Sequence, residues 1–269
     1  DGFTYGCPST ARSVRRRSTQ YASSNRSHAH EMDHGIEIVN HVNCDHPSGT
    51  IGISCGSLSR YRAMFTSLDE LNVPAGTCKI YAEGPDIARN RNSLVRQMKG
   101  EWLWMMDDDH RFGPDLLLAL LNHEQDIVVP TVCVRGQPFD PVLYEVVSQD
   151  STLDKKYSWA ELSSKSGLIP VAGAGTAGML IQHYVLADTP PPWFETTRYL
   201  SEDLTFCVNT SNRGYQVYAD LDQTMTHITP CELEPKRDEN GAWEVTIAVD
   251  GYNIVLEPNA AAQTWEVRN

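Results

Sequence analysis

The chain has 269 residues, with 22 Lys and Arg against 35 Asp and Glu, for a formal charge of −13. That balance excludes a general attraction to polyanions, because non-specific nucleic-acid affinity comes mainly from Lys and Arg neutralising phosphates. Apolar residues at 41% and charged residues at 21% are ordinary globular usage, which excludes an extensively disordered chain and allows a core without disulfides.

Residues 1–49 read as a polar amino-terminal extension whose one short apolar run, Ile36 to Val39, alternates like a strand. Arg12, Arg15, Arg16, Arg17 and Arg26 form a basic cluster there, either a solvated arm or a phosphate contact. The same extension holds Cys7, His28, His30, His34, His41, Cys44 and His46. These are zinc-ligand types, but without paired CxxC spacing; a Zn²⁺ site and a loop-rich arm are the two readings.

From Thr50 the pattern changes. Thr50 to Cys55 reads as a buried strand, Arg60 to Leu71 as a helix with apolar residues at Met64, Phe65, Leu68 and Leu71, and Cys78 to Ala82 as a second strand. A helix from Ile87 to Met98 and an apolar strand from Trp102 to Met106 follow, then a helix from Pro114 to Asn122 and a strand from Asp126 to Pro130. Strands alternating with helices of this length predict right-handed crossovers and a mostly parallel, Rossmann-like α/β sheet flanked by helices.

The second half carries a Gly-rich turn, Gly173 to Gly178, feeding a strand through Ile181. Ser201 to Arg213 reads as a helix with Glu202 and Asp203 in its first turn, and Gln216 to Ala219 as a strand. Two β-rich runs between Trp243 and Leu256 flank Asp250-Gly251, which predicts a carboxy-terminal β hairpin. The expected division is an extension over 1–49, a core over 50–232 and a β appendage over 233–269.

Seven cysteines, odd in number and scattered, point to reduced thiols and a cytoplasmic setting. No stretch approaches the roughly 18 apolar residues of a membrane span, so the expectation is a protein with no membrane insertion.

The segment with the most chemical content is Trp102 to His110, an apolar strand running into Asp107, Asp108 and Asp109. Open parallel sheets bind ligands beyond the carboxyl ends of their strands. With a side-chain period of two, Asp107 and Asp109 would face one side if the strand continued that far. Three adjacent carboxylates repel one another unless a cation or basic partners compensate them, and oxygen ligands suit Mg²⁺ or Mn²⁺. The competing reading is that the aspartates serve the dipole of the helix near Pro114. Arg89 and Arg91, at the head of a helix, are placed either to hold a diphosphate or to balance the aspartates; surface ion pairing is the bland alternative. Trp193 reads either as a stacking platform or as packing.

The order of these elements, the Ala88-Arg89-Asn90 segment, the strand ending in Asp107-Asp108-Asp109, the Ser201-Glu202-Asp203 helix and Thr226-His227 together resemble GT-A fold glycosyltransferases of the family 2 type. The resemblance covers about Thr50 to Pro230, and similar short proteins are encoded by bacteriophages. It implies a nucleotide-sugar donor bound over the sheet edge with Mn²⁺ or Mg²⁺ on its diphosphate. Asp107 and Asp109 match the family's Asp-x-Asp motif, with Asp109 as metal ligand and Asp107 as nucleotide contact and further ligand. Asp203 matches the catalytic base of inverting members, and His227 matches a histidine that ligates the metal in some members. Arg89, Arg91, Ser54 and Gly56 are the remaining donor-side candidates. For the acceptor, the phage likeness brings in a hydroxymethylated DNA base or a virion protein. A nucleotidyltransferase and a non-catalytic carbohydrate- or nucleic-acid-binding protein on the same fold are the alternatives. The first of these lacks an obvious Gly-rich basic loop in Gly56 to Arg60.

Overall fold

In the computed structural model, residues 36–37, 40–56, 62–136, 139–148, 154–237, 239–240, 243–249, 252–259 and 264–267 are described. The arginine cluster, Cys7, His28, His30, His34, Ser57 to Arg60 and Asp250-Gly251 lie outside them. The described residues belong to one unit, Gly35–Asn269.

In chain order, β1 (Ile36–Glu37), β2 (His41–Val42) and β3 (Thr50–Cys55) lead to α1 (Arg62–Glu70). Next come β4 (Val73–Pro74), β5 (Cys78–Glu83), α2 (Ile87–Gln97), β6 (Trp102–Asp107) and β7 (His110–Arg111). α3 (Leu116–Leu121), β8 (Ile127–Thr131), β9 (Leu143–Val146), β10 (Lys155–Lys156) and α4 (Trp159–Leu162) follow. β11 (Leu168–Val171), β12 (Gly173–Ala174), β13 (Met179–Gln182) and α5 (His183–Asp188) precede α6 (Glu202–Ser211). The chain continues through β14 (Val217–Thr224) and β15 (Thr226–His227). It closes on β16 (Cys231–Arg237), β17 (Trp243–Val249), β18 (Tyr252–Asn259) and β19 (Thr264–Val267), which form a separate antiparallel sheet.

The central sheet has eight strands in the order β1-β5-β3-β6-β13-β8-β14-β11. β5, β3, β6, β8 and β14 all run in one direction; β13, inserted between β6 and β8, and the two edges β1 and β11 run the other way. The sheet is therefore mostly parallel and covered on both faces, which is why its strands read as continuous apolar runs.

β6 shows how sequence periodicity builds the two faces. Leu103 and Met105 point into one core with Leu94 of α2 and Phe206 of α6. Trp102, Trp104 and Met106 point into the other with Met64 and Leu68 of α1 and Leu117 and Leu120 of α3. Each fully buried side chain of this size contributes about 1.5–3 kcal/mol, so the five successive buried residues of β6 hold it at the sheet centre. Parity then assigns Asp107, the last residue of β6, to the α2 and α6 face.

The reversal into β13 depends on Gly178. Its φ of +78° lies in the left-handed region, and a Cβ there would stand 2.5 Å from Met225 Sδ and 2.6 Å from Pro130 Cγ. Its amide donates to the Met105 carbonyl at 2.8 Å, and its carbonyl accepts from Trp104 Nε1 at 2.8 Å. Gly178→Ala combines left-handed strain with overpacking and is expected to lower the unfolding free energy by about 2–4 kcal/mol. Urea unfolding of the two proteins measures this; a change below the experimental error would show that the turn relaxes freely.

Candidate active site

β6 ends at Asp107, and Asp108 and Asp109 lie in a turn before β7. The period-two expectation for Asp107 and Asp109 therefore stops applying after Asp107, and the two carboxylates have different partners. The triplet does not cap a helix either: α3 starts at Leu116 with Asp115 at its cap, whose Oδ1 accepts from Asn72.

On the α2 and α6 face, Asp107 meets Arg91. The Arg91 guanidinium, 4% exposed, lies 3.3 Å from Asp107 Oδ1 and also hydrogen bonds Glu202 Oε1 of α6. Of the two roles open for Arg91, the structure shows the balancing of carboxylates. Burial raises the Glu202 pKa, Arg91 pulls it down, and Asp203 and Asp107 push it up, leaving it above the ordinary carboxylate value. The other polar residues of the segment are structural. Asn90 donates to the Gly84 carbonyl at 3.0 Å, and Asn92 donates to the Phe194 carbonyl at 2.6 Å while accepting from the Trp193 amide at 2.9 Å. Arg89 is exposed, its amide donating to the capping carboxylate of Asp86. Trp193 packs against the core and donates from Nε1 to the Leu186 carbonyl, so packing is the reading that holds.

Asp109 has a second set of partners. β7 pairs with β15, setting His227 opposite His110, and the Ile228 amide donates to the Asp109 carbonyl at 2.7 Å. Asp109 Oδ1 lies 2.8 Å from His110 Nδ1, and Oδ2 lies 3.3 Å from His227 Nε2 and 3.4 Å from Arg135. The two imidazoles stack with centroids 4.3 Å apart. Burial works to raise the Asp109 pKa, but the two histidines outweigh it and hold the carboxyl well below its usual range. Asp109, His110 and His227 offer ligand atoms all within 4.8 Å of one another, and among the described residues they are the one group of three or more suited to a metal ion. Asp107 stands outside that group, as do His41, Cys44 and His46 of the extension.

His110 is the residue that sequence reasoning passed over. It is 1% exposed, and among the described residues neither ring nitrogen makes a directed hydrogen bond, Nδ1 having only the Asp109 carboxylate 2.8 Å away. Buried polar groups without partners are rare because each forfeits its hydration. The available signal was its position directly after the three aspartates. Nothing local announced that β15, more than a hundred residues later, would lie beside it.

A cavity of about 140 Å³ joins these groups. Arg91, Asp107, His110, His227 and Asp203 reach its wall, with Val129, Val132, Val142 and the segment Ala174 to Ala177 supplying most of the apolar lining. Gly175 keeps this wall thin, since a Cβ there would stand 2.8 Å from Val142 Cγ1. Asp203 Oδ1 accepts hydrogen bonds from Ser201 Oγ and from the Leu204 amide, the latter at 2.8 Å. Oδ2 has no such bond and lies 3.8 Å from the Cβ position of Gly175. Thr176 is 2% exposed, and its hydroxyl makes no hydrogen bond within the protein. Ser54 is not in the cavity wall; it is opposite Asp107 in the β3–β6 register, and Gly56 lies exposed just past the end of β3.

No family model matches the chain, and no curated protein matches it. Among solved structures it is similar to A197 from STIV, with 15% identity and a TM-score of 0.43, over 82% of this chain and 94% of that one. It is also similar to S. aureus TarS, with 12% identity and a TM-score of 0.44, over 66% of this chain and 36% of that one. The chain thus spans about a third of the TarS chain. Likenesses at these TM-scores carry no weight for function, which rests on the chain's own geometry. No helix among the described residues is long and apolar enough to cross a membrane.

Arg91 holds two carboxylates together, so Arg91→Met leaves Glu202 buried and unpaired. The expected loss is about 3–5 kcal/mol at neutral pH. Glu202 already has a raised pKa in the folded state, and removing Arg91 raises it further, so the folded variant takes up a proton more readily than the unfolded chain. The deficit therefore shrinks as pH falls and Glu202 is protonated. Denaturation across pH 5 to 8 checks both size and sign; a pH-independent deficit would show that lost packing, not charge, is responsible.

Proposed function

We propose that the chain is a cation-dependent, inverting glycosyltransferase that moves a sugar from a nucleotide-diphosphate donor to an acceptor hydroxyl. The observation that supports it most is a shared cavity. His110 and His227 of the cation-ligating group line the same space as Asp203, a carboxylate with one oxygen anchored and the other unengaged.

In this reading Asp203 is the base. Ser201 and the Leu204 amide hold Oδ1 and orient the carboxylate, leaving Oδ2 to take the proton from the acceptor hydroxyl. The acceptor oxygen bonds to the anomeric carbon as the bond to the diphosphate breaks, and the nucleoside diphosphate leaves from the opposite face. A divalent cation bound through Asp109 and His227 would supply neutralising charge to that diphosphate. Asp107, oriented by Arg91, contacts the nucleotide. Ser54, beside it in register, and Gly56 are the neighbouring donor contacts, and exposed Arg89 is the basic side chain left for the diphosphate. The apolar wall at Val129, Val132 and Val142 excludes water from the reacting atoms.

Asp203→Asn is expected to lower transfer by roughly 10²–10⁴-fold, the range for a general base, while donor affinity stays within a few-fold of wild type. The assay follows nucleoside diphosphate release from a panel of nucleotide sugars with Mn²⁺ or Mg²⁺. Its acceptors span soluble sugars, proteins and hydroxymethylated DNA. Absence of both release and calorimetric donor binding in the wild type would sink the transferase reading.

A further inference from the structure

The transferase reading asks only for some divalent ion; the side chains around Asp109 narrow which. We propose that His110 is a metal ligand, and that Asp109, His110 and His227 form a two-imidazole, one-carboxylate site that takes Mn²⁺, Co²⁺ or Zn²⁺ in strong preference to Mg²⁺. This deepens the same site's role in the transferase reading but needs no transfer to be true.

Three observations carry it. First, His227 Nδ1 lies 2.9 Å from the Cys133 carbonyl, which can only accept, so Nδ1 carries the ring proton in the neutral imidazole. Nε2 then faces Asp109 Oδ2 at 3.3 Å, a position where a positive centre belongs between them, a proton in the imidazolium or a bound ion in its place. A ring nitrogen fixed by a backbone carbonyl while the other faces a carboxylate is the outer-shell arrangement of metal-bound histidines.

Second, His110 is fully enclosed with both nitrogens lacking hydrogen bonds, and its 2.8 Å approach to Asp109 Oδ1 does not have hydrogen-bond direction. The carboxylate thus turns one oxygen to each imidazole. Donor atoms sharing an ion at about 2.0–2.2 Å stand roughly 2.9–3.5 Å apart, by simple geometry from those bond lengths. The observed 2.8 and 3.3 Å are close to that spacing. Arg135, reaching Asp109 Oδ2 from an exposed position, is the one cation on this carboxylate that can swing away when an ion arrives.

Third, the donor set is wrong for Mg²⁺. That ion demands near-octahedral oxygen coordination and gives up its waters reluctantly, whereas imidazole suits Zn²⁺ and Co²⁺, and Mn²⁺, though at home with oxygen, exchanges its waters for nitrogen more readily than Mg²⁺ does. Asp107, the carboxylate that would have made the site oxygen-rich, is held by Arg91 outside the group. His110 and His227 both border the cavity, so an ion held by them would lie beside the space where a donor would bind.

The test uses tag-free full-length protein, stripped with chelator and without any donor. Calorimetry with Mn²⁺, Co²⁺, Zn²⁺ and Mg²⁺, each alone, is expected to show at least about 100-fold weaker Mg²⁺ binding. Pulsed electron paramagnetic resonance of the Mn²⁺ form is expected to show coupling to two imidazole nitrogens, falling to one in His110→Asn with about a 100-fold loss of Mn²⁺ affinity. The amino-terminal histidines are present in both proteins and cancel in that difference, and the wild-type spectrum reads the ligands even if the variant fails to fold. Mg²⁺ binding as tight as Mn²⁺, or Mn²⁺ coupling that does not include His110, would overturn the assignment. Two-nitrogen coupling in a protein that neither binds nor turns over any donor refutes the transferase reading alone, while sugar transfer driven by Mg²⁺ without nitrogen coupling refutes this proposal alone.

Discussion

A pairing of two residues with two holds the candidate site together. His110 and Arg111 lie antiparallel to Thr226 and His227, and the Ile228 amide extends the contact to the Asp109 carbonyl. Without it, Asp109 would lose the His227 imidazole that faces it across the turn after β6. So short a ladder has little stability of its own. It persists because both of its strands are continuations of buried elements, β6 on one side and β14 on the other, and because the Met225 amide is anchored on the Thr131 carbonyl at 3.1 Å. The precision of the site is borrowed from the sheet.

The sheet also explains why the two ends of the Asp-rich segment do different work. Asp107 is still in β6, so strand parity sends it to the helix face, where α2 contributes Arg91 and α6 contributes Glu202. Asp109 is past the end of the strand and takes its direction from β15. One carboxylate is therefore compensated by a guanidinium that is itself buried between two acids, and the other by imidazoles. A buried arginine between two carboxylates is a costly arrangement unless every partner is satisfied. Here it holds Asp107 at the cavity wall without Asp107 belonging to the group suited to a metal ion.

Most of the architecture was legible because the strands are buried on both faces and the helices are amphipathic. The apolar runs at Thr50 to Cys55 and Trp102 to Met106 and the spacing of Met64 and Leu68 each lead to an element found in the structure. The orientation of β13 was not legible, since a four-residue apolar strand reads the same in either direction and only the turn at Gly178 reverses it. The small elements β9, β10, β12 and α4 are too short to carry a period. At the site, Asp109, His227 and Asp203 were legible as residue types in suggestive places. The partnership of Arg91 with Glu202, 111 residues away, was not, because a contact at such separation leaves no local trace, and that of Asp109 with His227, 118 residues away, was expected only through the family resemblance.

His110 shows what that limit means physically. Its burial and its stacking on His227 are consequences of a pairing that sequence spacing does not encode. An apolar side chain there would pack without forfeiting hydration, so by stability alone the position favours replacement of the imidazole. Thr176 presents the same imbalance on another part of the cavity wall, with a buried hydroxyl where valine would fit at no cost in volume. Two polar groups whose needs the protein leaves unmet, both bordering one cavity with an oriented carboxylate in its wall, are what a surface built to meet a polar ligand has to look like before the ligand is there. Local conflict of this kind is expected where function, not folding, sets the residue.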